Sequence, residues 1–350
     1  MSRYAPSGGI GNHGLSIVNA DSNILCRFGD IVRKEGYRPG PLTAIKYLLV
    51  DQSNIIASQM HQLIKERRSG PDAVSVNLIA GLSKLGVNFN LNPTPLAIKG
   101  RVGLLSNIDA LTHAIKLKRF GKINQLVVGP NMVIDPRDYD SILLSEEIDV
   151  VITPCKWTAN YYAKVAPEIK RKIREWASGV DTDYWAPCDG NRGQSILVYD
   201  KISKDDPAIF QSVVSTLQDA SIDHEVIKYG EYTPPEYLEK LKDSRGMIYL
   251  SKSESQGLAL FEAWSCGVPT LVYDRMLWTY KNYRYDGESV MPYSNPLNGS
   301  KFQKIEEFAR SLDDFCECLD ENRFDPRAFV LANYTLKKAA SSYLELFDQI

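Results

Sequence analysis

Glu254 and Glu262 are two carboxylates set eight residues apart in an otherwise apolar stretch, SESQGLALFEAWSCGVPTLV, residues 253–272. Glu254 follows the apolar run GMIYLSKS, and Glu262 lies within LALFEAW, which is apolar almost all the way round. A carboxylate in such surroundings costs several kcal/mol unless it is hydrogen-bonded or paired. Between the two glutamates, SQGLAL turns into a helix. Gly257 lets the backbone approach a ligand closely. The unbonded N–H groups of the first helical turn, around Gln256 to Ala259, form an anion site. Glu262 falls about one turn further in. The segment therefore offers two acceptors for hydroxyl protons and a set of amides that donate to an anion. A nucleotide sugar presents that combination, with sugar and ribose hydroxyls on either side of a diphosphate. The helix stops at SCGVP, where Gly267 suits a left-handed cap and Pro269 follows.

The elements that must position these groups alternate along the chain. AIKYLLVD, VNFNL and GRVGLLS read as strands, as do NQLVVGPN and IDVVITP. DAVSVNLIAGLSKLG, IDALTHAIKLKRF, TANYYAKV and EIKRKIREWA read as the helices between and after them. After a break at SGVDTDYWAPCDGNRG, dense in Gly, Pro and Asp, the alternation restarts: SILVYDK, HEVIKYG, GMIYLSK and PTLVYD as strands, AIFQSVVSTLQDA, PEYLEKLKDS and LALFEAWSC as helices. The tail, FQKIEEFARSLDDFCECLDE and DPRAFVLANYTLKKAASSYLELFDQ, reads as helical. Alternation of this kind predicts parallel sheets covered by helices, with ligands at the carboxyl ends of the strands. Glu254 sits at such an end. The expected division is an irregular extension over residues 1–43, a first α/β domain over 44–178, a linker over 179–193, a second α/β domain over 194–330, and a final helix over 331–350 that could pack back on the first domain.

The segment E-SQGLALF-E-AWSCGVPTLV resembles the E-x7-E signature of retaining GT-B nucleotide-sugar glycosyltransferases of the family 4, or group 1, type. The match includes the Gly three residues after the first Glu and the trailing C-G-V-P. WASGVDTDYWAP resembles that family's passage into its second domain, ILVYDKISKDD its first strand there, and VITPCKWTANYY the last strand and following helix of its first domain. The resemblance covers roughly residues 44 to 350. It implies two doubly wound Rossmann-like domains facing across a cleft, with a C-terminal helical tail. It implies hexosyl transfer from a UDP-, GDP- or ADP-sugar with no metal or other cofactor. Glu254 would bind the donor sugar's hydroxyls and Glu262 the ribose, with the backbone at Ser255, Gln256, Gly257 and Leu258 facing the sugar and diphosphate. The family places an Arg and a Lys, five residues apart, on the diphosphate. This chain has Lys201 and Lys204, three apart, and lysine serves there as a point charge. Gly70 in RRSGPDAV best matches the glycine loop of the family's first domain. The family's first-domain histidine has no clear match, since His113 lies within a helix.

Other signals are weaker. GIGNHG, residues 9–14, has the spacing of a dinucleotide fingerprint, but only eight residues precede it and no helix pattern follows. DTD, residues 181–183, has the look of a metal-binding D-x-D but sits in the expected linker. VVGPNM ends a strand on the side of the expected cleft. There Gly129 allows close approach and Asn131 offers both a donor and an acceptor. The segment is either a contribution to an acceptor site or a plain strand-to-loop turn.

Net charge is −2, but it is unevenly spread. Residues 1–180 carry 23 Lys and Arg against 15 Asp and Glu, or +8, and the remainder carries −10. The basic clusters LIKERRSG, HAIKLKRFGK and EIKRKIREW fit either solvated helix faces or an anionic partner. A carbohydrate or glycolipid acceptor, a membrane inner face and a nucleic acid stay open as partners. The six cysteines do not form a disulfide framework. With no secretory leader pattern and no run of about 18 apolar residues, the expected setting is cytoplasmic. A GT-B epimerase or phosphorylase, a glycosidase built on the Glu254–Glu262 pair, and an inactive binding scaffold are the competing readings.

Overall fold

A computed structural model describes residues 15–18, 70–93, 97–188, 190 and 192–350. The expected strand AIKYLLVD and the GIGNHG segment lie outside these residues. A first sheet holds β1 (Leu15–Val18), β2 (Phe89–Leu91), β3 (Gly100–Ser106), β4 (Ile123–Asn131), β5 (Val150–Thr153) and β6 (Ile173–Glu175) in the order β2-β1-β3-β4-β5-β6. A second holds β7 (Ser195–Asp200), β8 (His224–Lys228), β9 (Ser244–Leu250), β10 (Thr270–Tyr273) and β13 (Gly299–Phe302) in the order β13-β10-β9-β7-β8. Every pairing in both sheets is parallel.

Burial on both faces makes the central strands, β3, β4 and β5 in the first sheet and β7, β9 and β10 in the second, largely apolar runs, and side chains along them feed opposite cores. Leu197, Tyr199, Met247, Tyr249 and Val272 enter one core with α5 (Pro234–Lys242) and α6 (Leu258–Ser265). Ile196, Val198, Ile248, Leu250 and Leu271 enter the other with α4 (Pro207–Asp219) and α7 (Phe308–Asp320). In the first sheet, Val102, Leu104, Leu126 and Val128 meet α2 (Ile108–Arg119) and α3 (Lys156–Val165). Leu105, Val127, Val150 and Ile152 meet α1 (Gly70–Lys84) and the C-terminal helix α9 (Leu336–Asp348). The chain thus ends by covering a face of its first domain, reached through α8 (Pro326–Asn333). Trp176 Nε1 donates to Ala339 O at 2.8 Å, and Asn77 Nδ2 to Gly179 O at 2.7 Å, tying α9 and the linker to that domain.

Three stretches differ from the sequence expectation. Residues 15–18, inside the stretch expected to be irregular, form β1 between β2 and β3. EIKRKIREWA is not a helix. A short 3-10 turn at Pro167–Ile169 leads into β6, beside β5. Its apolar spacing fits both structures, and the sheet decides: Ile173 packs with the α2–α3 core and Trp176 with the α1–α9 core, on opposite faces. A helix would put residues three apart on one side. Finally, residues 277–286 form an antiparallel hairpin, β11 (Leu277–Tyr280) and β12 (Tyr283–Asp286). Its pattern, W-T-Y-K-N-Y-R-Y, is a period-two aromatic alternation about a two-residue turn.

Candidate functional site

β7 and β9 are hydrogen-bonded neighbours, so the residues that follow them emerge side by side at one edge of the second sheet. Lys201 follows β7 and Glu254 follows β9. Lys201 Nζ lies 2.8 Å from Glu254 Oε1 and 4.5 Å from the centre of the Tyr229 ring. Burial pulls the Lys201 ammonium down, but the Glu254 carboxylate, by charge and hydrogen bond, outweighs it with help from Tyr229 and leaves the pKa above the usual lysine value. Glu254 itself is 9% exposed. Its Oε1 also accepts from Tyr249 Oη at 2.7 Å and lies 3.0 Å from Ser251 Oγ. Burial, with the facing Glu254 carboxylate, holds the Tyr249 phenol far above its usual pKa, so it stays a donor.

The backbone of Glu254 is gripped as well. Its N–H donates to Ser289 O at 2.6 Å, and its carbonyl accepts from Trp157 Nε1, on α3 of the first domain, at 2.9 Å. The carboxylate therefore sits at the seam between the domains. Asp274, fully buried after β10, accepts from the N–H groups of Met276, Ser289 and Val290. It pins both ends of the hairpin excursion and so holds Ser289 against Glu254.

Gly257, the residue before α6, has φ +77°, a left-handed conformation that glycine adopts without steric penalty. The chain turns there so that the first amides of α6 open beside Glu254. Leu258 and Ala259 are half-buried and Ser255 is exposed. The Gln256 side chain accepts from Ser178 N at 3.0 Å and donates to Ser178 O at 2.8 Å, so it grips the chain just before the linker and holds its own backbone in place at the helix start. Glu262 lies one turn into α6 and is 3% exposed. The opposite end of α6 is capped by two guanidinium groups. Arg192 donates to Cys266 O and Gly267 O, both at 2.5 Å, and Arg327 donates to Ser265 O.

The other expected positions fall further out. Lys204 is exposed on the turn after β7. Gly70 opens α1, and a Cβ there would meet nothing within 4 Å, so space does not require glycine. Gly129 does need to be glycine, but for sheet packing. At φ +113° its Cβ would lie 2.5 Å from Ile152 O. Asn131, at the end of β4, has a buried Nδ2 that meets no partner among the described residues. His113 is half-buried in α2. In the DTD segment, Asp181 accepts from the N–H groups of Asp183 and Tyr184, and Lys84 lies 3.5 Å from Asp181 and 2.8 Å from Asp183. These carboxylates brace a turn against α1.

Sequence reasoning missed Tyr249, Ser251, Trp157, Asp274 and Ser289. Tyr249 and Ser251 were legible only as parts of a strand and its exit. The other three are brought in by tertiary contact. The hairpin adds an aromatic bridge: Trp278 lies 5.1 Å from Trp157 and 4.9 Å from Tyr161, and Tyr283 lies 4.6 Å from Tyr161, centre to centre.

No protein-family model matches the sequence, and no curated protein matches it. Solved structures do. A glycosyltransferase from Rickettsia africae ESF-5 is similar with a TM-score of 0.58 at 12% identity, over 97% of this chain and 98% of that one. The lipopolysaccharide outer core galactosyltransferase WaaB, in its apo form, is similar with a TM-score of 0.55 at 12% identity, over 96% of this chain and 99% of that one. A TarM variant of S. aureus, in complex with fondaparinux, alpha-GlcNAc-glycerol and UDP, is similar with a TM-score of 0.50 at 11% identity. That likeness covers 78% of this chain and only 58% of the TarM chain. What the chain shares with these proteins is the GT-B fold, two Rossmann-like domains with a helical C-terminus.

Proposed function

We propose that the chain is a retaining, metal-independent glycosyltransferase that moves a sugar from a nucleoside diphosphate to a carbohydrate or glycolipid acceptor. The observation that carries this reading is the convergence of Lys201, Glu254 and the amide-rich start of α6 at the edge of the second sheet that meets the first domain. The fold shared with glycosyltransferases supports it. A diphosphate fits the lysine and the helix start, since both concentrate positive potential where charge develops on the leaving group. Glu254 accepts a hydroxyl of the donor sugar, and Glu262 the ribose.

In the reaction, the acceptor oxygen forms a bond to the anomeric carbon as the bond from that carbon to the phosphate oxygen breaks. Attack from the leaving-group face preserves configuration, and the departing phosphate takes the acceptor proton. Asp181 and Asp183 are occupied by Lys84 and backbone amides, which favours a role in the hinge over one in binding metal. The acceptor side belongs to the first domain, near Asn131. Lys118 and Arg119, two of the basic residues that could draw an anionic acceptor or surface, are paired with Asp149 and Glu147. That pairing favours an uncharged glycan over a membrane face or nucleic acid as the acceptor.

The experiment is a thermal-shift screen of UDP-, GDP- and ADP-sugars with and without divalent cations, followed by product analysis on the donor that stabilises most. The expected result is stabilisation that survives chelator and is weakened in Glu262→Ala by about 1.5–3 kcal/mol, the range for hydrogen bonds to charged groups. Stabilisation by no nucleotide sugar, or only with metal, overturns the reading. A donor converted without any acceptor identifies an epimerase instead.

A further inference from the structure

Three donors crowd one oxygen of Glu254. Lys201 Nζ at 2.8 Å, Tyr249 Oη at 2.7 Å and Ser251 Oγ at 3.0 Å all meet Oε1, and among the described residues Oε2 takes none. The phenol cannot swing away. Tyr249 is 1% exposed, and its ring stacks on that of Tyr199 with centres 4.8 Å apart and planes 15° from parallel. Ser251 is equally buried, on the short link from β9 to Glu254. The Glu254 backbone is held on both sides, by Ser289 and Trp157. A glutamate free to rotate would lose side-chain entropy on meeting a ligand; this one has already lost it.

We propose that Tyr249 and Ser251 are positioning residues that fix Glu254 so that its Oε2 accepts a hydroxyl of the donor's sugar. The inference rests on the reading that Glu254 faces that sugar. Lys201 has a second use on the diphosphate, but Tyr249 and Ser251 touch the carboxylate from inside the fold and have no route to ligand. Their effect must therefore appear only through Glu254, and only for ligands that carry a sugar. A nucleoside diphosphate alone lacks the transferred sugar, and its ribose hydroxyls fall to Glu262, so it offers nothing to Oε2.

The test is a double-mutant cycle read by calorimetry, which separates an effect carried by one residue from a general loss of structure. UDP-glucose, GDP-mannose and ADP-glucose are each compared with UDP, GDP and ADP in the wild type, Tyr249→Phe, Ser251→Ala, Glu254→Ala and the two combinations with Glu254→Ala. Tyr249→Phe and Ser251→Ala should each weaken the best nucleotide sugar by about tenfold, the effect of one hydrogen bond to a charged group. Its diphosphate should bind as to the wild type. In the Glu254→Ala background neither substitution should weaken sugar-nucleotide binding further. Equal losses with and without Glu254, or equal losses for sugar nucleotide and diphosphate, overturn the inference while leaving the donor site standing. If Glu254→Ala itself leaves sugar-nucleotide affinity unchanged, or the wild type binds none of the six, the underlying reading fails and the inference with it. Should Tyr249→Phe melt early, the Ser251→Ala arm decides alone.

Discussion

Two buried carboxylates in this protein are each met by several donors, some from neighbouring residues and some brought in by the fold. Glu254 is one case, and Asp135 is another. Asp135, 3% exposed, accepts from the Arg137 guanidinium at 2.7 and 2.9 Å, from the Arg137 N–H at 2.9 Å and from Tyr161 Oη at 2.9 Å. The Arg137 guanidinium is the main cause that holds its carboxyl down at about 2, against the opposing effect of burial. The unfolded chain would titrate this group near ~3.9. Because the folded pKa is the lower one, the stabilisation is complete above about pH 4 and is lost as pH falls toward about 2. Asp135→Asn should therefore lower the melting temperature at neutral pH and flatten its decline over that acid window. Melting curves at closely spaced pH values read both effects, and an unchanged acid slope would refute the assignment.

Among the elements, α6 ties packing to chemistry most directly. Its start opens beside Glu254 and its end is covered by Arg192 and Arg327. Helix termini leave carbonyls unbonded, and cations there complement the helix dipole. Arg327 also reaches Trp185 O and Thr182 O, both at 3.3 Å, so one fork joins α6, α8 and the linker. Arg327→Ala should cost about 1.5–3 kcal/mol, as expected when charged hydrogen bonds to buried carbonyls are removed. Arg327→Lys should recover only part of it, because an ammonium cannot fork. Urea denaturation should show a lower midpoint at an unchanged slope. Wild-type stability in Arg327→Ala would mean that water replaces the cap.

At the scale of the molecule, the two domains are held together around the proposed site by contacts that the core of neither requires. Trp157 reaches Glu254, Tyr293 donates to Pro154 O, and the β11–β12 hairpin lays Trp278 and Tyr283 against α3. Lys281, at the turn of the hairpin, pairs with Asp138, but its ammonium stands in water, which screens the pair and leaves it adding little. The aromatic contacts are the stronger part, about 0.5–1.5 kcal/mol for each pair. Trp278→Ala should therefore favour a more open arrangement of the domains, while Lys281→Ala should not. Small-angle scattering should give a larger radius of gyration for the first variant alone. Superimposable profiles for Trp278→Ala and the wild type would show that the hairpin does not govern closure. Among the described residues, no helix is long and apolar enough to cross a membrane.

The sequence by itself determined the α/β alternation, with its restart in a second parallel sheet, and the placing of a carboxylate beside a glycine-led helix start. Each of these is written in local periodicity, in glycine and proline placement, or in the cost of putting a charge in an apolar run. Tertiary structure alone decided the rest. β6 took a helix-like spacing because its flanking apolar residues had to reach opposite faces of a sheet. The Gln256 side chain, to which local spacing gives no partner, meets the backbone of Ser178 because the chain entering the linker passes within reach. Tyr249 read as one more apolar strand residue, and only the return of the chain after β9 put Glu254 over its hydroxyl. The aromatic alternation of residues 277–286 shows a hairpin, but its partner helix lies more than a hundred residues earlier in the chain. Local spacing cannot specify which distant surfaces meet; the burial of both sheets and the crossing of α9 back to the first domain do that.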